Sequence, residues 1–109
     1  MKDGLIISIF KDKIWYKDGL FHREEGPAVE YTDGSKYWYI NGECHREDGP
    51  AVECSNGDKQ WYLNGKLHRE DGPAVECANG NKYWYYHGKY IDCKFQKEFI
   101  KLIKLKAFW

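Results

Sequence analysis

The residues best suited to chemistry form a four-residue motif, His-Arg-Glu-Asp at 45–48, with related copies that begin at His22 and His68. A histidine can act as a base near neutral pH, and a neighbouring carboxylate can orient it. An active site, however, is normally one concave constellation, whereas these residue types recur at a constant spacing of 23. A hydrolase with His45 or His68 as base is therefore the weakest functional hypothesis, and no catalytic residue is predicted.

The repeat spacing also argues against a metal site and a disulfide. If each unit adds two paired strands about 4.8 Å apart, equivalent residues lie roughly 10 Å from one another. One metal ligated by His22, His45 and His68 needs all three nitrogens within about 2.1 Å, so no metal or other cofactor is predicted. Cα atoms of bridged cysteines lie within about 7 Å, so Cys54 and Cys77 are predicted to be free thiols that fill small gaps.

The elements that position the motif follow a strict 23-residue grid. Each Trp of one column precedes a Tyr, and glycines and Gly-Pro pairs fill further columns; the Trp column is Trp15, Trp38, Trp61 and Trp84. Such self-similarity is typical of repeat proteins, whose units pack against their neighbours. We predict one domain over 1–109, made of a degenerate N-terminal cap (1–14), full repeats (15–37, 38–60 and 61–83), a partial repeat (84–91) and a C-terminal helix (92–109).

Within a unit, the residues alternate between strand and turn signals. Residues 36–40 read as a strand, Asn41-Gly42 is a strong hairpin signal, and a return strand runs from Glu43 to about Arg46. A corner at 47–50, a strand at 51–54 and a turn at 55–58 complete the unit. The predicted fold is mainly β, an elongated, solenoid-like single sheet of β-hairpin repeats. Adjacent strand residues point to opposite faces, so we predict the Trp column inside and Tyr39, Tyr62 and Tyr85 as surface contacts.

The C-terminal residues change period. Apolar side chains at 95, 99, 102 and 103 predict an amphipathic helix with Asp92 as its N-cap. We expect it to fold back over the last strands as a lid that protects a sheet edge. The alternative is a basic helix that docks on a membrane or a partner.

Charge and hydropathy exclude several classes of partner. Acidic and basic residues number 17 each, which gives no reason to expect DNA or an anionic membrane as a partner, although residues 94–109 carry five lysines against one glutamate. The chain has no apolar run near the ~20 residues of a membrane span and no signal-peptide pattern. We expect a cytoplasmic protein.

The Trp-Tyr-x-Asn-Gly-x-x-His stretch and the 23-residue period resemble the MORN (membrane occupation and recognition nexus) repeat family. The closer resemblance, over residues 13 to about 90, is to variant repeats of bacteriophage and large DNA virus proteins that continue with Arg-Glu-Asp-Gly-Pro-Ala. The resemblance implies a row of β-hairpins that serves as a scaffold or binding surface. Ordinary MORN units have Gly where this chain has Arg23, Arg46 and Arg69, so a lipid or scaffold role does not carry over directly.

Two interpretations of the repeated columns stay open. In the structural one, Arg and Glu pair laterally between units, Asp bonds turn amides, and His caps a corner carbonyl. In the functional one, the ladder binds a planar or phosphorylated ligand or an acidic protein. The candidate binding residues are His22, Arg23, His45, Arg46, His68, Arg69, Tyr39, Tyr62 and Tyr85.

The leading functional hypothesis is a non-enzymatic interaction module of phage or viral origin that binds and inhibits a protein in the cytoplasm of its host. The first alternative is a sponge that sequesters an anionic nucleotide signal, and the second is a MORN-like scaffold or membrane-associated protein. An open β array also makes a homodimer a reasonable expectation.

Overall fold

The computed structural model describes residues 3–105 as a mainly β structure with one helix. Its dimensions are 47 × 31 × 17 Å, so the molecule is long and thin, and its sheet does not close. The strands are β1 (Gly4–Ile7), β2 (Lys13–Lys17), β3 (Leu20–Phe21), β4 (Val29–Glu30), β5 (Lys36–Tyr37), β6 (Tyr39–Ile40), β7 (Glu43–Cys44), β8 (Val52–Glu53), β9 (Lys59–Gln60), β10 (Tyr62–Leu63), β11 (Lys66–Leu67), β12 (Val75–Glu76), β13 (Lys82–Tyr86) and β14 (Lys89–Ile91). The predicted elongated β array with a C-terminal helix is confirmed.

All strand pairs are antiparallel and follow chain order. The main sheet runs β1-β2-β4-β5-β8-β9-β12-β13-β14, and β3 pairs with β2. The hairpins β6–β7 and β10–β11 lie beside this path. Backbone hydrogen bonds also join neighbouring hairpins: Gly65 N donates to Cys44 O at 2.9 Å, and Arg46 N donates to Tyr62 O at 3.1 Å. Neighbouring units are therefore bonded to each other at their hairpins as well as in the main sheet.

The predicted strand at 36–40 is divided at Trp38. The Trp38 N–H donates to Ala51 O, while its carbonyl accepts from His45 N, so this residue bonds to both sides at the point where the pairing changes partner. The Asn-Gly hairpins form as predicted, since Asn41 and Gly42 have φ of 49° and 81°. Both residues tolerate the left-handed region, which is why the turn uses them.

A second row of turns joins neighbouring units at the opposite rim. In the turn at 55–58, Asn56 Oδ1 accepts from Asp58 N at 3.0 Å. Asp58 Oδ1 then accepts from Ala78 N of the next unit at 2.6 Å, and Ser35 Oγ accepts from Ser55 N in the same way. The turn residues therefore fix the register between units as well as reversing the chain.

The helix α1 (Gln96–Leu105) begins four residues later than predicted, so Asp92 is not its N-cap. Glu98, in the first turn, accepts from Lys94 N at 2.8 Å and satisfies a donor that precedes the helix. Phe99 is fully buried against Trp84 and Ile91, which confirms the predicted lid. Within residues 3–105, no helix is long and apolar enough to cross a membrane. Residues 106–109, the end of the predicted helix, lie outside the described part.

The N-terminal segment adds a strand without adding a cover. β1 pairs with β2 in the position that β4, β8 and β12 take beside later strands. Its side chains stay largely outside the core, with Leu5 47% and Ile7 55% exposed. The segment predicted as a degenerate cap thus extends the sheet by one strand.

Candidate binding faces

The sheet has two faces of different chemistry. The tryptophan face carries the Trp column, and each full unit covers its own Trp with a corner loop (residues 22–28, 45–51 and 68–74). The guanidinium carbon of Arg46 lies 3.8 Å from the ring centroid of Trp38. Arg23 and Arg69 stack on Trp15 and Trp61 in the same way, at 3.7 and 3.8 Å. The arginine of each loop therefore serves as the lid of a tryptophan.

A glycine lies on the far side of each stacked guanidinium. A Cβ on Gly49 would approach Arg46 Cζ to 2.9 Å, and one on Gly72 would approach Arg69 Cζ to 2.7 Å. The guanidinium is thus held between an indole ring and a glycine backbone. A side chain at 49 or 72 would force the guanidinium to shift, and one at 26 would contact Arg23 Cζ closely, at 3.1 Å.

The arginines form their ion pairs inside their own units. Arg46 Nη1 donates to Glu53 at 2.8 Å and to Pro50 O at 3.0 Å, while its Nε donates to Asp48 at 3.0 Å. The lateral Arg–Glu pairing between units that the sequence predicted is therefore wrong. Because Nε and Nη1 of Arg46 already have partners and its π surface lies on Trp38, a phosphate would have to displace these contacts or bind through Nη2 alone.

The histidines, in contrast, join one unit to the next. His45 Nδ1 accepts from Asn64 N at 2.9 Å, and His68 Nδ1 accepts from His87 N at 2.7 Å. Because Nδ1 accepts a hydrogen bond, the ring proton resides on Nε2. In His45 this Nε2 lies 3.2 Å from Glu47 Oε2. The prediction that His caps a corner carbonyl is wrong, since it accepts from a hairpin amide. His22 Nδ1 accepts from Asn41 N at 2.9 Å in the same way, while its Nε2 is buried without a hydrogen-bond partner among residues 3–105.

The grooves between corner loops are acidic. The first has a volume of about 800 Å³ and the second about 580 Å³. Carboxylates outnumber the two stacked arginines in each lining; those of the first groove are Glu24, Glu25, Glu47 and Asp48. A groove with this charge does not suit the anionic nucleotide of the sponge hypothesis. Among the described residues, no group of three or more His, Cys, Asp or Glu is placed to hold one metal ion.

The fourth Trp has a different lid. Trp84 has no corner loop, and its Nε1 donates to Gln96 Oε1 at 2.8 Å. Gln96 Nε2 also donates to Glu70 O at 2.7 Å, which ties the start of α1 to the third corner loop. The helix therefore takes the place of a missing corner loop on the tryptophan face.

The tyrosine face is the opposite side of the sheet. Within the hairpins, Tyr39 lies opposite Cys44, Tyr62 opposite Leu67 and Tyr85 opposite Tyr90. Along the main sheet, Tyr37 lies between Val29 and Val52. The strand positions of the tyrosine face are Ile6, Ile14, Tyr16, Phe21, Val29, Tyr37, Tyr39, Cys44, Val52, Gln60, Tyr62, Leu67, Val75, Tyr83, Tyr85 and Tyr90. Neighbouring rings touch along it, with Phe21 and Tyr39 centroids 5.2 Å apart.

Charge separates the two faces completely at the strand positions. Every charged strand residue alternates with the tyrosines and points to the tryptophan face; these residues are Lys13, Lys17, Glu30, Lys36, Glu43, Glu53, Lys59, Lys66, Glu76, Lys82 and Lys89. Burial raises the pKa of the Tyr39 and Tyr62 hydroxyls and of the Cys44 thiol, so these groups also stay neutral at pH 7. At its strand positions, the tyrosine face therefore carries no charge.

The nine candidate binding residues do not form one site. The six His and Arg residues lie in or beside the corner loops, while Tyr39, Tyr62 and Tyr85 lie half-buried on the opposite face. The Trp column is also half-buried except for Trp84, which is 5% exposed. The Tyr37 and Tyr83 column was not among the predicted binding residues, although the regular placement of Lys two residues before each Trp identifies the charged face. All four cysteines are free.

Comparison of the chain with models of protein families, with curated proteins and with solved structures gives no match.

Proposed function

We propose that this protein is a non-enzymatic interaction module that docks a partner protein on its tyrosine face. The observation that carries the proposal is a sheet face whose strand positions are uncharged and largely aromatic, while the corner loops and α1 lie on the other face. An antiparallel sheet ordinarily packs its apolar face on a core and presents its charged face to water. In this molecule, the corner loops and the helix all cover the charged face.

The exposure of the tyrosines supports a protein as the occupant. Tyr31, which contacts Tyr37, is 44% exposed, Tyr83 is 38% exposed and Tyr90 is 53% exposed. Tyr combines a large, rigid contact area with a hydroxyl that can still bond water, and it is enriched at protein interfaces. A contiguous row of such side chains on a soluble chain is typical of an interaction surface.

The contacts of the repeated motif on the tryptophan face support the proposal. The histidines link units and the arginines are stacked and paired, so the repeated motif stabilises the array. We infer that the same contacts leave no activated base, and the proposed module is not an enzyme. Its resemblance to phage and viral repeats favours a host protein in the cytoplasm as the partner, which the module would inhibit by covering it.

A photocrosslinking pair tests this proposal. A benzoylphenylalanine at position 62 lies on the tyrosine face, and the same residue at position 59 lies three residues away in sequence on the opposite face. In lysate of the natural host cell, we expect position 62 to crosslink one specific protein and position 59 to give none. Crosslinking from position 59 alone, or from position 62 only to a second copy of this chain, would contradict the docking of a partner protein.

A further inference from the structure

The outer edge of β1 is the second surface without a partner. Its interior equivalents are paired on both sides: β4 lies between β2 and β5, and β8 lies between β5 and β9. β1 pairs only with β2 among residues 3–105. An open strand edge is a template for another strand, and proteins usually block it with charge, proline or a cover.

The repeat geometry identifies which backbone groups point outward. Trp15 N donates to Ala28 O at 2.8 Å, so the backbone of Trp15 faces β4. Leu5 lies opposite Trp15 in the β1–β2 register, and it must therefore direct its own N–H and C=O away from β2. Ile7 lies two residues further on and points its backbone the same way.

The side chains of β1 replace the charge found in the interior copies. Subtracting the repeat period places Ile7 where later units have Glu30, Glu53 and Glu76. Those glutamates bind the arginine of their own unit, as in the 3.0 Å pair between Arg23 and Glu30. At position 7 an apolar side chain takes the position of this acid. The edge therefore lacks the charge that would oppose strand addition.

We propose that β1 pairs antiparallel with β1 of a second copy, so that the two sheets join into one across a twofold axis. In this register Ile6 meets Ile6 of the second copy, and each Leu5 exchanges both backbone hydrogen bonds with Ile7 of the other copy. The arrangement repeats the interior contact, in which Ile14 lies opposite Val29. Leu5 and Ile7 then form apolar cross-strand pairs on the tryptophan face.

The two ends of the array explain why association stops at two copies. At the C-terminal end, α1 packs on Trp84 and Ile91, and β14 carries Lys89 at its start. Of the two edge strands described within residues 3–105, β1 is the one without a charged residue, so its pairing is self-complementary and closed rather than head-to-tail. The inference does not depend on the proposed docking of a partner protein.

The native mass of the purified chain over a dilution series tests the proposal. We expect a dimer that dissociates on dilution, and an Ile7→Glu variant whose dissociation constant is at least about tenfold higher. The variant should keep its fold, because Glu opposite Lys13 reproduces the interior pair of Glu30 with Lys36. Ile7→Pro, which removes the outward N–H, should have the same effect. Ile9→Glu is the control, since this exposed residue lies outside β1.

Three results would overturn the proposal. The first is a monomer at every concentration, and the second is a dimer that both Ile7 variants leave intact. The third is a dimer that Tyr83→Gln weakens and Ile7→Glu does not, since that places the interface on the tyrosine face. Amide hydrogen exchange gives an independent readout that needs no variant. Leu5 and Ile7 should be protected in the dimer and exchange freely in the monomer; free exchange in both states would exclude β1 pairing.

Discussion

The two faces of this single sheet use aromatic residues in opposite ways. On the tryptophan face, each indole lies under a guanidinium that is itself bonded to carboxylates, as Arg46 is to Asp48 and Glu53. On the tyrosine face, rings touch one another and no charged strand residue lies among them. The difference indicates that the repeated motif stabilises the array, and it supports the proposal that the tyrosines contact a partner.

The largest effect should come from removing the helix side chain that completes the tryptophan face. Phe99→Ala deletes a fully buried ring that packs on Trp84 and Ile91. We expect a loss of about 3–5 kcal/mol in the free energy of unfolding, measured with urea, because the cavity lies in the main apolar cluster. Phe95→Ala is the control, since Phe95 is 68% exposed and should change stability by less than about 0.5 kcal/mol. Equal losses in the two variants would show that the helix is no lid.

The next largest effect should come from filling the layer beside a stacked arginine. Gly72→Ala places a Cβ 2.7 Å from Arg69 Cζ and should cost about 1–3 kcal/mol, because the guanidinium must leave the Trp61 ring. Gly26→Ala meets Arg23 Cζ at 3.1 Å and should cost less. Thermal unfolding of both variants checks the order, and a tolerated Gly72→Ala would disprove the layered arrangement.

The link between units should have a moderate effect. His45→Ala removes the acceptor for Asn64 N and should lower stability by about 1 kcal/mol, measured by chemical denaturation. Glu47→Gln is the control, because it keeps an acceptor for Nε2 and its side chain is mostly exposed. If both variants are as stable as the original protein, the histidine column does not hold the units together and its role needs another explanation.

The smallest effect should be a change in pH dependence at the last hairpin. Partial desolvation, reinforced by the neighbouring His68, lowers the pKa of the largely exposed His87 below its ordinary 6.5. The folded state therefore binds this proton less well than the unfolded state, so the stabilising contribution is complete above pH 6.5 and is lost as pH falls through the lower folded pKa. His87→Asn introduces the residue that the equivalent turns carry at 41 and 64. We expect the free energy of unfolding to differ less between pH 7.5 and pH 5.5 in the variant than in the original protein. An equal difference in both proteins would exclude a contribution from His87.

Strict periodicity made much of the fold predictable from sequence. The 23-residue grid, the Asn41-Gly42 turn and the apolar spacing around Phe99 gave the hairpin array and its terminal helix. The start of α1 was not predictable in this way, because it is fixed by Glu98, which accepts from Lys94 N, and by Gln96, which accepts from Trp84 Nε1, and not by Asp92. Local patterns define elements well, whereas their ends depend on contacts with residues distant in sequence.

The candidate site was harder to predict, because identical residue columns fit both lateral and internal pairing. Arg46, Gly49 and Glu53 recur with the same offsets in each full unit, which is what an intra-unit pairing requires. A sequence repeat cannot distinguish this arrangement from a pairing shifted by one unit. The separation of charge between faces was readable, however, because Lys36, Lys59 and Lys82 each stand two residues before a Trp.

The affinity of the crosslinked partner for two matched pairs of variants tests the central claim most directly. Tyr37→Gln and Tyr83→Gln alter the tyrosine face at a column where Gln60 is already tolerated, while Lys36→Gln and Lys82→Gln alter the adjacent residues on the other face. Calorimetric titration should show weaker binding for the tyrosine pair, by at least about tenfold, and unchanged binding for the lysine pair. Weaker binding for the lysine pair with unchanged binding for the tyrosine pair would contradict this account and move the binding surface to the tryptophan face.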